Sequence, residues 1–237
     1  MRSLVTLALL TITTLLSAPA ALADDTSRVG GYVLPFYDSN GPVIKVGPYS
    51  RGLATRNGNA FVSTILQMKK QWNRLSFPEL YVAAIRLYDL GYRNEATYWF
   101  YSAQYKGRQF AMLVDQRKLG DIGDPGFELY HAQEAFLEVA GPAINGYAFG
   151  DTGSLRRIIQ RIATENRAVS DLPSIYPGVA FKNRAQWQEL NAGLNDGLSK
   201  LSLQLMTQKD RFAQQREQNG TAQRFANVTS KPFPGGY

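Results

Sequence analysis

The sequence predicts an all-α protein in which helical hairpins pack into an irregular bundle, preceded by an extended N-terminal arm or a short β-hairpin. Three observations support this prediction. Apolar residues recur every three or four positions from about residue 59 onward, as they do along the buried face of a helix. Capping residues and glycines separate the helical stretches. Residues 24–57, in contrast, are rich in glycine, proline, aspartate and asparagine.

Residues 1–23 have the features of a secretory signal peptide. Arg2 supplies a positive charge, an apolar stretch extends from Leu4 to Leu16, and Ala21 and Ala23 are the small residues of a cleavage site. We expect cleavage after Ala23 and no transmembrane segment in the mature chain, because the apolar stretch is shorter than a membrane span. The alternative is an uncleaved membrane anchor. The sequence contains no cysteine, which suits a bacterial periplasm, so we expect a periplasmic or secreted protein.

The basic residues give a formal net charge of +7 and are scattered along the chain. The densest groups, Lys69-Lys70 and Arg156-Arg157, are too short to indicate nucleic-acid binding. Outside the cytoplasm, a basic surface meets acidic proteins, anionic membranes or cell-wall polymers. Solubility alone is the other explanation of the charge.

Residues 24–57 are predicted to form the arm or the hairpin. Two runs that favour β-structure, Tyr32 to Tyr37 and Val43 to Val46, flank the turn residues 38–41. Pro35 would confine such a hairpin to an edge position. An extended arm over the helical body is the alternative.

Residues 58–218 are predicted to form a single helical domain. Its first helix carries an apolar stripe formed by Phe61, Ile65, Met68 and Trp72. The next helix begins at a capping box, in which Ser76 and Glu79 satisfy each other's backbone N–H groups, with Pro78 at the first helical position. Gly91 is predicted to end this helix.

The following helix, which Asn94 is predicted to cap and Gly107 to end, carries aromatic residues on both faces. On a helical wheel, Trp99 and Phe100 lie opposite three tyrosines. A central helix buried on both faces is one interpretation. The other is a stripe that faces a partner, because tyrosine and arginine are common interface anchors. The candidate partner-binding residues are Arg93, Tyr98, Tyr101, Tyr105 and Arg108.

This helix resembles the second helix of a Sel1-like repeat, a relative of the tetratricopeptide repeat. Ala96, Trp99-Phe100, Ala103 and Gly107 match the pattern A-x-x-W-Y-x-x-A-A-x-x-G, with phenylalanine for its tyrosine and Gln104 for its second alanine. Tyr88 to Gly91 resembles the end of the repeat's first helix. The resemblance covers one unit, about residues 78–107, without a second copy at a fixed period. It implies that the helical hairpins pack as in Sel1-like or tetratricopeptide repeats, as the alternative to an irregular bundle, and that the protein is a protein-binding scaffold rather than an enzyme.

The rest of the chain is predicted to remain helical. Helices are expected at residues 108–119, 127–139 and 151–169, with a loop at 120–126, a stop at Gly141-Pro142 and a proline-containing connection at 171–181. The aspartates of the 120–126 loop are interpreted as turn and cap residues in preference to calcium ligands.

The last predicted helix carries apolar residues at a spacing of three and four. They are Trp187, Leu190, Leu194, Leu198, Leu201 and Leu205, with Phe212 in phase. This pattern fits either a coiled-coil seam, through which the protein would oligomerise, or a helix that packs on the body. Gly193 and Gly197 predict a kink or a close helix contact. Residues 208–218 are expected to form a solvated extension and residues 219–237 a flexible tail.

The sequence shows no catalytic motif. His131 is the only histidine, and neither a nucleophile-elbow motif nor a glycine-rich phosphate loop is present. We therefore expect no metal site and no cofactor. Paired carboxylates would suffice for glycan cleavage, and the candidates are Asp115, Glu128, Glu134 and Glu138.

The functional prediction is an exported helical module that binds another periplasmic or cell-envelope protein. An immunity or inhibitor protein against a periplasmic partner would fit the size, the export and the absence of catalytic motifs. The alternative is a carboxylate-dependent enzyme that acts on peptidoglycan. A third possibility is a structural subunit that associates through its C-terminal helix.

Overall fold

The computed structural model describes residues 26–40 and 43–236. Helices account for most of these residues, and a small antiparallel sheet near the N-terminus accounts for the strands. The all-α prediction with a short β-hairpin is therefore confirmed. The predicted signal peptide and its cleavage site lie outside the described residues.

The helices are α1 (Ser50–Ala54), α2 (Gly58–Lys70), α3 (Phe77–Asp89), α4 (Arg93–Leu113), α5 (Pro125–Ala148), α6 (Thr152–Glu165), α7 (Leu172–Ile175), α8 (Trp187–Thr207), α9 (Lys209–Gln218) and α10 (Thr221–Arg224). The strands are β1 (Tyr32–Val33), β2 (Tyr37–Asp38) and β3 (Val43–Ile44). Within the described part of the chain, no helix is both long and apolar enough to span a membrane.

The N-terminal sheet has the strand order β1-β2-β3, and both strand pairs are antiparallel. Val33 pairs with Tyr37, which in turn pairs with Ile44, and all three side chains are buried. One face of the sheet thus covers the helical body, and β1 contacts α5. Pro35 lies in the turn between β1 and β2, where its missing N–H group interrupts no strand pairing.

Helices α2 and α3 form as the local signals predict. Phe61, Ile65 and Met68 are buried along α2, while Trp72 lies in the 3-10 turn that follows. The capping box at the start of α3 is present, with the backbone N–H of Ser76 donating to Glu79 Oε2 at 2.7 Å. After α3, Gly91 adopts a φ of +88°, which allows the tight turn into α4.

Helix α4 is the centre of the bundle and contacts α3, α5, α6 and α8. Two predictions about its ends are wrong. Tyr92, not Asn94, occupies the N-cap position. The helix also continues through Gly107, where an added Cβ would lie 2.7 Å from Cγ of Gln133. This glycine therefore permits the close approach of α5 instead of ending the helix.

Helix α5 continues without interruption through Gly141-Pro142, so the predicted stop at this position is also wrong. Gly141 faces the core, whereas Pro142 lies on the exposed side of the helix. A proline there leaves the carbonyl group four residues earlier without its helical partner, but water can bond to that group. Buried neighbours, including Ala140 and Ile144, hold the segment in place.

The second half of the protein follows the predicted order of helices, and α6 is shorter than predicted. Asp151 caps α6 through the backbone N–H of Ser154, at 2.9 Å, and α6 ends at Glu165. The predicted connection at 171–181 contains the short helix α7. Helix α8 packs beside α6 and runs unbroken through Gly193 and Gly197.

Residues 219–236, predicted to be a flexible tail, pack on the bundle in the structure. Phe225 and Phe233 are buried, and the ring of Phe233 meets Tyr92 edge-on at 5.2 Å between centroids. The backbone N–H of Lys231 donates to the carbonyl of Gly91 at 2.8 Å. The C-terminal segment therefore covers the turn between α3 and α4.

Candidate functional site

The three tyrosines predicted to face a partner lie inside the protein. Tyr98, Tyr101 and Tyr105 are only 2%, 6% and 3% exposed. A partner could not reach their rings without displacing the helices that cover them. Helix α4 is therefore a central helix that is buried on both faces. The alternative interpretation, a tyrosine stripe that faces a partner, does not agree with this burial.

The hydroxyl group of each tyrosine has a hydrogen-bond acceptor from a distant part of the chain. Tyr98 donates to Glu165 at the end of α6, and Tyr101 donates to Asn145 at 2.8 Å. Tyr105 donates to Asn191 at 2.7 Å. Burial raises the pKa of the Tyr101 and Tyr105 hydroxyl groups, so both remain neutral donors under ordinary conditions. Their role is to hold α4 against its neighbours.

The two candidate arginines are partly buried. Arg93 donates to the carbonyl groups of Ser27 and Thr229, and so contacts segments near both ends of the described chain. Arg108 lies close enough to Tyr101 for its positive charge to oppose the rise that burial causes in the tyrosine's pKa. The structure does not group these two arginines with the tyrosines on an open surface.

The candidate carboxylates show ordinary structural contacts. Arg117 forms an ion pair with Asp115 at 3.1 Å and lowers its pKa, and Glu128 accepts from the backbone of Gly123 at 2.9 Å. Glu134 and Glu138 are exposed on α5. Across residues 26–40 and 43–236, no group of three histidine or acidic side chains could hold a metal ion.

A groove between α6 and α8, with a volume of about 780 Å³, exposes two large apolar side chains. Leu203 and Met206 line it and are 55% and 50% exposed. They lie three positions apart on α8, so their side chains are neighbours on one face of the helix. Several other lining residues are small, which leaves the groove open: Ala163, Ala192, Ser199 and Ser202.

The charged residues of this α6–α8 groove are all basic. Arg156 lies on α6 and Arg167 follows its C-terminal end, and no acidic residue is among the side chains that line the groove in the described structure. The positive potential of such a surface favours acidic partners and speeds their association. The groove therefore combines two exposed apolar side chains with neutral polar residues and two arginines.

Comparison with models of protein families, with curated proteins and with solved structures gives no match for this chain. The assignment of a site consequently depends on the geometry alone.

The sequence of α8 contains a signal for the groove residues in addition to its buried stripe. The buried stripe of α8 includes Leu201 and Leu205. Leu203 and Met206 fall outside it, so α8 carries more apolar residues than its packing face needs. An apolar residue out of phase with the buried stripe indicates an exposed contact.

Proposed function

We propose that this protein is a helical binding module that receives an apolar, acidic segment of another periplasmic or cell-envelope protein in the α6–α8 groove. The observation that carries this proposal is the pair Leu203 and Met206, half exposed in a groove whose charged residues are Arg156 and Arg167. Burial of two such side chains would contribute on the order of 3 kcal/mol to binding.

The shape of the groove favours a helical segment as its occupant. Helices α6 and α8 supply the two walls of the groove, and the small side chains that line it leave room for an amphipathic helix, which typically lies in a groove of this kind. Its apolar face would cover Leu203 and Met206, and acidic residues at its edge would meet Arg156 and Arg167. An immunity or inhibitor protein would bind its target in this manner, since such binding needs no catalytic group.

The test uses the mature, tagged chain to capture proteins from a periplasmic extract. The groove variant carries Leu203→Glu and Met206→Glu. A matched control carries Leu34→Glu and Ile122→Glu, which replace two other exposed apolar residues with the same change in charge. Circular dichroism confirms that each variant is folded.

We expect one stoichiometric partner that the control retains and the groove variant loses. Support also requires that the contacting segment of that partner is acidic and apolar and binds as an isolated peptide. Arg156→Gln should weaken this peptide's binding roughly tenfold. Equal capture by both variants, or capture of nothing, contradicts the proposal. If sedimentation showed self-association through the groove, the occupant of the groove would be a second copy of the chain and not an acidic partner.

A further inference from the structure

A second cavity, of about 750 Å³, lies on the opposite side of α6 from the groove. Residues of α4, α5, α6 and α9 and of the C-terminal segment line it. The residues at positions 157 and 161 of α6 face this cavity, whereas those at 156 and 160 face the groove. The two sites therefore use different faces of the same helix.

Three arginines line this cavity, which is here named the arginine pocket. Arg157 and Arg161 lie four positions apart on α6, and Arg216 reaches in from α9. Their only acidic counterpart among the lining residues is Asp151. Asp151 already accepts from the backbone and hydroxyl groups of Ser154, which lower its pKa and hold it as the cap of α6.

Two of the three guanidinium groups form no ion pair with a carboxylate of the described residues, although Arg157 is close enough to Asp151 to help lower its pKa. Arg161 pairs with Glu165 at 2.6 Å, whereas no carboxylate of residues 26–40 or 43–236 lies within 4.0 Å of the side-chain nitrogens of Arg157 or Arg216. Arg157 donates to the hydroxyl of Ser154 at 2.7 Å. Positive charge is thus in excess at this site.

Arg216 is the more unusual of the two, because it is only 8% exposed. It donates to the carbonyl of Gly146, near the end of α5, and burial lowers its pKa. The carboxylate of Glu217 opposes this effect on the pKa only in part, and a buried guanidinium without a close ion pair is costly in free energy. An anion in the pocket would form that ion pair and accept hydrogen bonds from the guanidinium N–H groups.

Much of the remaining pocket wall is apolar or aromatic, alongside the polar side chains of Asn94, Thr97 and Ser154. Leu155 and Ile158 come from α6, Phe225 and Val228 from the C-terminal segment, and the ring of Tyr147 from α5. The volume lies within the range of small-molecule sites, which combine apolar walls with a few charged groups. An apolar body attached to an anionic group would satisfy both parts of the wall.

We propose that the arginine pocket binds a small amphipathic oxyanion, in which a carboxylate or phosphate group is attached to an apolar or aromatic body. Arg157 and Arg216 hold the oxygens, and Leu155, Ile158 and Phe225 cover the apolar body. This site is independent of the proposed partner segment in the groove, since Arg156 serves one site and Arg157 the other.

The test measures binding to the mature chain by isothermal titration calorimetry with four probes. Phenyl phosphate and phenylacetate carry the two candidate anionic groups on an aromatic ring. Inorganic phosphate lacks the apolar body, and benzyl alcohol lacks the charge. We expect saturable, one-to-one binding of at least one aromatic anion, tighter than that of inorganic phosphate or benzyl alcohol and weakened by added salt.

Arg157→Gln is the test variant, because Arg157 is exposed and its loss leaves the packing of the bundle unchanged. It should weaken the aromatic anion roughly tenfold or more. Arg156→Gln removes the same charge from the adjacent position and should leave this binding unchanged. Phenyl phosphate binding more tightly than phenylacetate assigns a phosphate ligand, and the reverse order assigns a carboxylate.

Three results would overturn the proposal. They are the absence of saturable binding by both aromatic anions, equal binding of benzyl alcohol, and equal weakening by Arg156→Gln and Arg157→Gln. Failure of this test leaves the groove proposal standing, because capture of a partner through Leu203 and Met206 is a separate measurement.

Discussion

The hydroxyl group of Tyr105, in the middle of α4, donates a hydrogen bond of 2.7 Å to Oδ1 of Asn191, near the start of α8. The amide of Gln109 donates to the same oxygen, also at 2.7 Å. The amide nitrogen of Asn191 in turn lies 3.0 Å from the carbonyl of Asn166 and 3.2 Å from that of Arg167. One buried asparagine thus connects α4, α8 and the end of α6.

This connection predicts an ordered series of stability losses. Tyr105→Phe should lower the free energy of unfolding by about 1 kcal/mol, because Gln109 still satisfies the Asn191 oxygen. Asn191→Leu should cost at least about 3 kcal/mol, since it leaves several buried donors and acceptors unpaired. Urea unfolding followed by tryptophan fluorescence measures both values.

The matched control for this series is Tyr130→Phe, which removes a hydroxyl group that accepts a hydrogen bond from the exposed side chain of Gln116. It should change the free energy of unfolding by less than about 0.5 kcal/mol. If Asn191→Leu were no more destabilising than Tyr130→Phe, the network would not contribute to stability.

The buried Lys106 predicts that the free energy of unfolding changes with pH in the alkaline range. Its buried ammonium group donates to the carbonyls of Trp72 and Leu75 at 2.9 and 3.1 Å. Burial lowers the pKa of Lys106 from 10.5 to about 8, and the nearby carboxylate of Glu79 partly opposes this effect. Between these two pH values the unfolded chain binds more protons than the folded one, so the free energy of unfolding rises with pH.

The measurement compares the wild type with Lys106→Met in urea at several pH values from 7 to 10. The wild type should gain stability relative to the variant by up to about 3 kcal/mol across the window. The buried tyrosines are present in both proteins, so their titration cancels in the difference. Lys209→Met, which changes an exposed lysine, should show no such trend, and a pH-independent difference for Lys106→Met would contradict the prediction.

Two helix starts were predicted correctly from the sequence, for a physical reason. Ser76 and Asp151 cap their helices through bonds to residues three positions away, and such local chemistry is visible in the sequence. Gly107 and Gly141-Pro142 looked like stops, but packing decided the outcome at both positions. The approach of Gln133 explains Gly107, and that neighbour cannot be recognised from the local sequence.

The same distinction applies to the candidate site. A helical wheel correctly separated the two faces of α4, yet it could not show what covers the tyrosine face. The covering residues, including Asn145, Glu165 and Asn191, lie 44 to 86 positions away. The groove forms because α6 packs beside α8, and this pairing could not be predicted from the sequence. The sequence signal for the groove was the pair Leu203 and Met206, which lie out of phase with the buried stripe of α8.

A buried ion pair predicts that substitutions of two adjacent lysines lower the stability of the protein by unequal amounts. Lys69 lies 2.7 Å from Oε1 of Glu95, which also accepts from the indole N–H of Trp99 at 2.7 Å. Glu95 is buried, whereas the Lys69 side chain is 19% exposed. Lys69→Met should therefore lower the free energy of unfolding by about 3 kcal/mol, near the lower end of the range for breaking a buried ion pair. Lys70→Met, at an exposed position, should cost less than about 0.5 kcal/mol.

A double variant separates the unpaired charge from lost packing. Lys69→Met together with Glu95→Gln removes both charges and should recover part of the loss, since removing both partners is less costly than leaving one alone. Unfolding in urea gives all three values. Equal losses for Lys69→Met and Lys70→Met would show that the Glu95 contact contributes little.

Arg93 is predicted to hold the C-terminal segment on the bundle. Its guanidinium group donates to the carbonyls of Ser27 and Thr229 and lies 5.2 Å from the ring centroid of Tyr88. Arg93→Gln should therefore release residues 226–236 more often, while the bundle remains folded. Loss of about 1.4 kcal/mol of local stability would increase cleavage of this segment roughly tenfold in limited proteolysis.

The control for this prediction is Arg211→Gln, which removes the same charge from an exposed position of α9 and should leave cleavage unchanged. Equal cleavage of Arg93→Gln and the wild type would mean that other contacts hold the segment. Those contacts are the buried Phe233 and the bond from Lys231 to Gly91. Phe233→Ala would then be the change that releases it, because the ring packs against Tyr92 on the bundle.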